Sequence, residues 1–224
     1  MLQIHKQAEP QEVINFKALP QDNWQPSYKG LTAEAKTTLR KALVTEQGGV
    51  CCYCNRHIGG PANAIEDGEF HIEHFRPQHA FTHLELDYQN LHASCFKNDS
   101  VKGRRHCGPA KDKWFDTALT LSPLNNNSGI IRYGQNGTIF SNSSPAAAET
   151  IKQLALDHPM LIAEREAEIA GKLDADFIRN ATNDDLVKLY RAHQQMQNGR
   201  FQPFTLAVMQ CIAALLPDPL KATL

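Results

Sequence analysis

The stretch GGVCCYCNRHIGG, residues 48–60, carries three of the chain's six cysteines between two glycine pairs. Cys51 and Cys54 form a C-x-x-C pair, a turn that presents two thiolates to one tetrahedral ion and is the usual first half of a structural zinc site. The nearby cysteines outside this turn are Cys95 and Cys107. Four thiolates close the coordination sphere, so the sequence predicts a structural Zn²⁺ held by Cys51, Cys54, Cys95 and Cys107.

This ligand set has alternatives. Cys95 and Cys107 are separated by eleven residues instead of two, and His106 or His92 is an alternative to one thiolate. A thioredoxin-like redox role for the C-x-x-C pair lacks the βαβ pattern that would surround it. Cys52 is expected to point away from the ion, and Cys211, in an apolar run, is expected in the core.

The bulk composition limits the classes of protein that fit. A chain of 224 residues is long enough for one domain with a sizeable core. The net charge of −1 gives no global attraction to nucleic acid, so any such binding needs a local basic patch. No apolar run approaches the roughly 20 residues of a membrane span, and the first residues lack a signal-peptide core. These features predict a cytoplasmic protein without a membrane partner, where disulfides are rare.

Periodicity and turn residues predict an α+β protein in three parts. Residues 1–30, with three prolines, are expected to form an extended arm. Residues 31–143 form the cysteine-bearing core, and residues 144–224 form a helical segment. Within these parts the sequence predicts a helix over 31–46 with Thr32 as its N-cap and Gly48-Gly49 at its end, a strand over 69–77, and a strand or strand-loop over 86–95. It also predicts a hairpin over 129–141 and helices after residue 144.

A second polar cluster lies in FHIEHFRPQ, residues 70–78, where three titratable groups fall within four residues. His71 and Glu73 would share one face of a strand, because side chains alternate with period two. A neutral imidazole such as that of His74 is able to take a proton from water near neutral pH. A carboxylate such as that of Glu73 is a ligand that Mg²⁺ prefers.

The motifs IEHFRP and YQNL resemble those of the HNH endonucleases, the ββα-metal nucleases. More narrowly, LRKALVTEQGGVCCYCNRHI, HIEHFRPQ, LDYQNLHASC and HCGPAKDKW are similar to the HNH subunit of Septu-type antiviral systems and retron-associated operons. The resemblance covers most of residues 30–125. It implies a zinc-stabilised ββα core that hydrolyses phosphodiester bonds with Mg²⁺ or a similar divalent cation. It also implies an ABC-like ATPase partner in an antiphage defence system.

The resemblance also implies roles for single residues. His74 is the expected general base, Glu73 the expected ligand of the catalytic ion, and Asn90 the residue that orients the loop carrying the histidine. HNH sites usually close with a histidine or asparagine on the helix, but Gly108, Pro109 and Ala110 stand there. The candidates for that missing group are Asn98, His106, Asp112 and His71.

The substrate side is predicted from charge. Residues 97–113 hold six basic and two acidic side chains, and such local runs contact phosphates without reading sequence. No recognition helix or aromatic platform is visible in the sequence.

DNA is the favoured substrate and a structured RNA such as tRNA the alternative. A non-catalytic zinc module that binds nucleic acid or protein is the competing hypothesis. The expected phosphate contacts are Arg76, Arg104, Arg105 and Lys111.

Overall fold

The computed structural model describes residues 1–19, 24–60, 70–95 and 105–221. Two small antiparallel sheets and nine helices occur in these ranges, as expected for an α+β protein. None of the helices along these ranges is both long and apolar enough to cross a membrane. The elements are α1 (Gln11–Lys17), α2 (Ala33–Glu46), β1 (Phe70–His74), β2 (Leu91–Cys95), α3 (Gly108–Lys111), β3 (Arg132–Tyr133), β4 (Ile139–Phe140), α4 (Pro145–Gln153), α5 (Pro159–Lys172), α6 (Ala175–Asn180), α7 (Asn183–Gln194), α8 (Thr205–Leu215) and α9 (Asp218–Lys221).

Helix α2 follows the sequence prediction at both ends. The Thr32 side chain accepts a hydrogen bond from the Ala35 amide and so caps the first turn. Leu39 and Leu43 are fully buried on one face. The helix stops before two glycines in the left-handed region, which side chains with a Cβ rarely adopt. The chain therefore enters the cysteine turn in a fixed direction.

Strands β1 and β2 form the sheet that carries the polar cluster. They pair antiparallel, with His71 opposite Ser94 and Glu73 opposite His92. The Tyr88–Asn90 3-10 turn leads directly into β2, and α3 follows it after the 96–104 segment. The chain thus runs strand, strand, short helix through the region of the predicted site.

The predicted hairpin forms from β3 and β4. Its turn at Gly137 has φ +72°, and a Cβ there would lie 2.1 Å from the Ile162 carbonyl oxygen in α5. The guanidinium of the buried Arg165 donates to the Gly137 carbonyl from the same helix. The hairpin is therefore packed tightly against the C-terminal helices.

The N-terminal arm differs from its predicted extended form. Residues 11–17 are helical, and Val13 and Phe16 of α1 pack into the core with Met1 and Ile4. The helix forms despite the three prolines of this arm because Val13 and Phe16 are spaced to lie on one buried face. Helix α8 is core as well, with Cys211 and Ile212 buried. Residues from the arm, the cysteine region and the C-terminal helices share one hydrophobic cluster.

Candidate metal centre and polar site

The four predicted zinc ligands meet in one buried cluster. The sulfur atoms of Cys51, Cys54, Cys95 and Cys107 all lie within 4.8 Å of one another. Those of Cys54 and Cys95 are 3.7 Å apart. A tetrahedron with Zn–S bonds of ~2.3 Å has sulfur–sulfur edges of about 3.8 Å. The cluster therefore fits a four-thiolate zinc ion, which would leave no open coordination position.

Three separate elements position these thiolates. The C-x-x-C turn is closed by the Cys51 amide, which donates to the Arg56 carbonyl, and is attached to β2 by the Cys52 amide, which donates to the Ala93 carbonyl. Cys95 ends β2. Cys107 precedes α3, and its amide donates to the Leu154 carbonyl at 2.7 Å. A bound ion would join the turn, the sheet and the helix.

The alternative ligands do not belong to this set. His92 lies on β2 opposite Glu73, and burial lowers the pKa of its imidazole to about 3. His106 is beside the cluster, with Nδ1 3.1 Å from the Cys107 sulfur. A hydrogen bond to a thiolate is the natural role for an imidazole at that place. As predicted, Cys52 is not among the clustered thiols.

Glu73 is the centre of a second, polar site. Its Oε2 lies 3.0 Å from Nε2 of His71, so the expected shared strand face is present. Its Oε1 accepts a hydrogen bond from the Tyr53 hydroxyl at 3.1 Å and pairs with the Lys111 ammonium at 2.8 Å. Burial opposes ionisation, but the His71 hydrogen bond and the Lys111 charge outweigh it and hold the pKa of Glu73 below its ordinary 4.5. Glu73 is therefore a carboxylate at neutral pH.

His74 is held in one tautomer. Its Nε2 lies 3.0 Å from the Glu85 carbonyl oxygen, which only accepts, so Nε2 carries the hydrogen and Nδ1 is the basic nitrogen. The ring packs edge-on against Tyr28 at 4.7 Å. Burial lowers the pKa of His74 below its ordinary 6.5. Strand alternation directs this side chain away from the face of His71 and Glu73, and its ring contacts neither of them among the bonds described.

Asn90 has the local role that the motif predicts. Its Oδ1 accepts from the Arg76 amide at 2.7 Å, and its Nδ2 donates to the carbonyls of Arg76 and Leu84 at 3.1 Å. It thereby fixes the loop that follows His74. The tautomer of His74 is set by the Glu85 carbonyl.

Lys111 corrects the prediction that it contacts phosphate. Its side chain is only 1% exposed, because it reaches from α3 to Glu73 and donates to the His74 carbonyl at 3.1 Å. Gly108 makes that approach possible. A Cβ at Gly108 would lie 2.3 Å from Nε2 of His71 and 2.5 Å from Oε2 of Glu73. Helix α3 thus packs directly onto the polar site.

Of the four candidates for the closing group, His71 is the one that contacts Glu73 among the residues the structure describes. Asp112 is exposed, and His106 contacts the thiolates. Asn98 lies outside the described ranges. Of the expected phosphate contacts, Arg76 and Arg105 are exposed, whereas Arg104 also lies outside those ranges.

Three phenylalanines beside this site were not expected. The Phe115 ring contacts Phe75 at 5.5 Å and Phe81 at 5.2 Å, in both cases edge-to-face. The Arg76 guanidinium stands 5.8 Å from the ring centroids of Phe81 and Phe115. Phe75, Arg76 and Phe81 lie in the loop after β1, whereas Phe115 follows α3, so no local sequence pattern predicts that they meet.

No protein-family model and no curated protein matches this chain. The resemblance to the HNH nucleases thus depends on the motifs themselves.

Proposed function

We propose that this chain is a metal-dependent endonuclease of the HNH type that hydrolyses phosphodiester bonds in nucleic acid. The observation that carries the proposal is the His71–Glu73 pair on β1, next in sequence to a histidine kept neutral with Nδ1 as its base. Two strands and a short helix in that order, with a zinc-type cluster joining them, support the same conclusion. An ion held by four thiolates would be structural, so we assign hydrolysis to the polar site.

Three residues of the chain have separate roles in the proposed hydrolysis. His74 Nδ1 accepts a proton from the attacking water, a role that needs the neutral ring that burial favours. Asn90 holds the loop after His74 in place, so that the base has a fixed position. Arg76, exposed on that loop, contacts a substrate phosphate.

The residues at Glu73 fit a Mg²⁺-type cation. The Glu73 carboxylate is the kind of ligand that Mg²⁺ takes, since this ion typically binds one or two carboxylates and keeps several waters. His71 Nε2 donates its hydrogen to Glu73 Oε2 at 3.0 Å, so it would act as a ligand only after losing that hydrogen. Glu73 is ionised and therefore ready to bind, and Lys111 occupies its other oxygen. When bound, such an ion would stabilise negative charge on the phosphate oxygens.

One observation favours a second candidate function. The Lys111 ammonium already neutralises Glu73 inside the protein, so this carboxylate is satisfied without a cation. A non-catalytic zinc module that binds nucleic acid or protein would have the same pairing. In that case the imidazole of His74 would be a buried structural side chain.

The motif resemblance supports a place for the nuclease in antiphage defence, as an effector controlled by an ABC-like ATPase. DNA is the favoured substrate, with structured RNA such as tRNA as the alternative. Co-expression with the neighbouring ATPase gene, followed by size-exclusion chromatography, tests the partnership. A nuclease that elutes alone as a stable monomer would contradict it.

A cleavage assay tests the proposed activity. The protein, alone and with the ATPase, is mixed with plasmid DNA or total RNA in Mg²⁺ or in EDTA. We expect Mg²⁺-dependent cutting that His74→Ala abolishes and that His79→Ala, at an exposed histidine, leaves intact. Cutting of neither polymer under any condition would favour the binding module.

A further inference from the structure

We propose that the cavity beside Arg76 holds one unpaired base of the substrate, so that the protein acts on single-stranded or locally unpaired nucleic acid. This inference rests on the proposed function for the class of ligand. It adds a binding subsite and a preference for strandedness, neither of which follows from the hydrolytic residues.

The cavity has the size and lining of a small-ligand site. Its volume is about 310 Å³, at the lower end of the ~300–1,000 Å³ found for small-molecule sites. A lining that mixes apolar side chains with a few polar groups resembles the usual lining of such sites. The lining includes Phe75, Arg76, Leu84, Asp87, Gln89 and Leu124.

One aromatic ring lines the cavity, and two others pack behind it. Phe75 lines the cavity and is held edge-to-face by Phe115, which in turn contacts Phe81. All three rings are only partly buried. Proteins that bind single strands use aromatic rings on which bases stack, together with cations along the backbone. In a duplex the faces of the bases are already stacked on one another. We therefore expect the protein to prefer single strands.

The cation that this arrangement needs is Arg76. It is exposed at the mouth of the cavity, and no carboxylate of the described ranges forms an ion pair with it. Its guanidinium stands beside two phenylalanine rings, within the ~6 Å of a cation–π contact. It is therefore placed to hold the phosphate of a nucleotide whose base enters the cavity.

The polar rim favours a base that carries an amino group. Asp87 Oδ1 accepts from the Gln89 amide at 3.0 Å, which fixes the carboxylate at the rim. Asn90 has no donor left for a base, since both hydrogens of its side-chain amide bond the carbonyls of Arg76 and Leu84. A carboxylate accepts from exocyclic amino groups, so adenine or cytosine should bind better than thymine or uracil.

The subsite lies next to the proposed chemistry. Arg76 follows His74 by two residues, and Asn90 ties the Arg76 backbone to the start of β2. A base held here would place a neighbouring phosphate near the His74 loop. The strand would thus be positioned by its base, since Lys111 is buried and takes no part in phosphate binding.

Fluorescence anisotropy in EDTA tests this inference apart from catalysis. The His74→Ala protein is titrated with labelled single-stranded oligo(dA), oligo(dT), their RNA equivalents and a duplex. We expect single-stranded oligo(dA) to bind about ten-fold more tightly than duplex, as stacking of a base predicts. 2-Aminopurine within the strand should change its emission as it enters the cavity.

Matched variants locate the effect. Leu84→Trp fills the cavity and Arg76→Gln removes the cation, and each should weaken single-strand binding about ten-fold. Leu19→Trp and Arg179→Gln make the same substitutions at exposed residues that do not line the cavity and should leave affinity within two-fold. Equal affinity for duplex and single strand, or wild-type affinity in Leu84→Trp and Arg76→Gln, would overturn the subsite. Single-strand preference without any cleavage would reject only the nuclease, whereas cleavage without that preference would reject only the subsite.

Discussion

The ammonium nitrogen of Lys111 lies 2.8 Å from Oε1 of Glu73, with both side chains nearly excluded from water. Lys111→Met keeps much of the apolar stem but leaves the carboxylate buried without its partner. Breaking a buried pair on one side costs about 3–5 kcal/mol, so we expect a loss of that order in urea denaturation. The double variant Lys111→Met/Glu73→Gln should recover part of the loss. Equal stability of Lys111→Met and the wild type would show that this pair does not form.

We expect any substitution of Gly108 to destabilise the protein, because there is no space for a Cβ at this position. Gly108→Ala would place a methyl group within 2.5 Å of both His71 and Glu73, which must displace their side chains or the helix. We expect a destabilisation of about 1–3 kcal/mol, and a marked loss of any Mg²⁺-dependent cleavage. Gly171→Ala, at a helical glycine with open space around it, serves as the control and should be neutral or stabilising. An unchanged melting temperature in Gly108→Ala would contradict the close packing of α3.

Asn90 is predicted to act through the loop that it holds. Asn90→Ala leaves the Arg76 amide and two carbonyls without their partners, at a cost of about 1–3 kcal/mol for a buried group. Asn90→Asp keeps the acceptor for the Arg76 amide and should be less harmful to that contact. Hydrogen exchange of the Arg76 amide should therefore rise strongly in Asn90→Ala and less in Asn90→Asp. Similar protection in all three proteins would show that the side chain does not fix the loop.

Metal content provides a direct test of the thiolate cluster. We expect one zinc per chain by elemental analysis, and loss of helical circular dichroism when a strong chelator removes it, because structural zinc contributes folding free energy. Cys54→Ala should abolish binding, whereas Cys211→Ala, a change within the α8 core, should keep the metal. Thiol reagents should react with the holoprotein only after chelation. A metal-free protein with full helicity would rule out a structural ion.

Acid should destabilise the protein through His92. The imidazole is fully buried, neither ring nitrogen has a hydrogen-bond partner in the described part of the chain, and its folded pKa is about 3. An unfolded histidine titrates near pH 6.5. Between pH 6.5 and 3 the unfolded chain therefore binds a proton that the folded chain does not. Stability should therefore fall as the pH drops from about 6.5 towards 3.

His92→Leu should flatten that dependence, and the exposed-site variant His79→Leu should not. Glu73 adds a second pH dependence, which begins at a lower pH than that of His92 and overlaps it. Its folded pKa is depressed, so its contribution is present above its unfolded value and is lost as the pH falls through the folded one. A His92→Leu protein with the wild-type slope between pH 4 and 6.5 would show that this imidazole titrates normally.

Local signals account for what was predictable. Thr32 and the glycines that follow Glu46 fixed both ends of α2, and the C-x-x-C spacing identified half of the metal cluster. Strand alternation placed His71 beside Glu73. Each of these relationships joins residues close in sequence, where backbone geometry alone determines which side chains meet.

Contacts between distant residues were not predictable in the same way. Lysine is usually exposed, so nothing near Lys111 indicated that it would be buried against Glu73. The Phe75–Phe115 contact depends on how two loops pack, and α1 is stabilised by burial of Val13 and Phe16 rather than by strong helix signals. Tertiary packing, not local sequence, determines the burial of Lys111, the Phe75–Phe115 contact and the formation of α1.

The order of the cysteines along the chain has a consequence for synthesis. Cys51 and Cys54 leave the ribosome first, and Cys107, which completes the cluster, follows Cys54 by roughly 50 residues. At ~5–20 residues per second this delay is roughly 3–10 s. During that interval the thiols of Cys51 and Cys54 lack the rest of the cluster. They are then exposed to oxidation or to binding of a softer metal. If a zinc ion fills this cluster, maturation requires a reducing environment and available zinc while the chain is still being made.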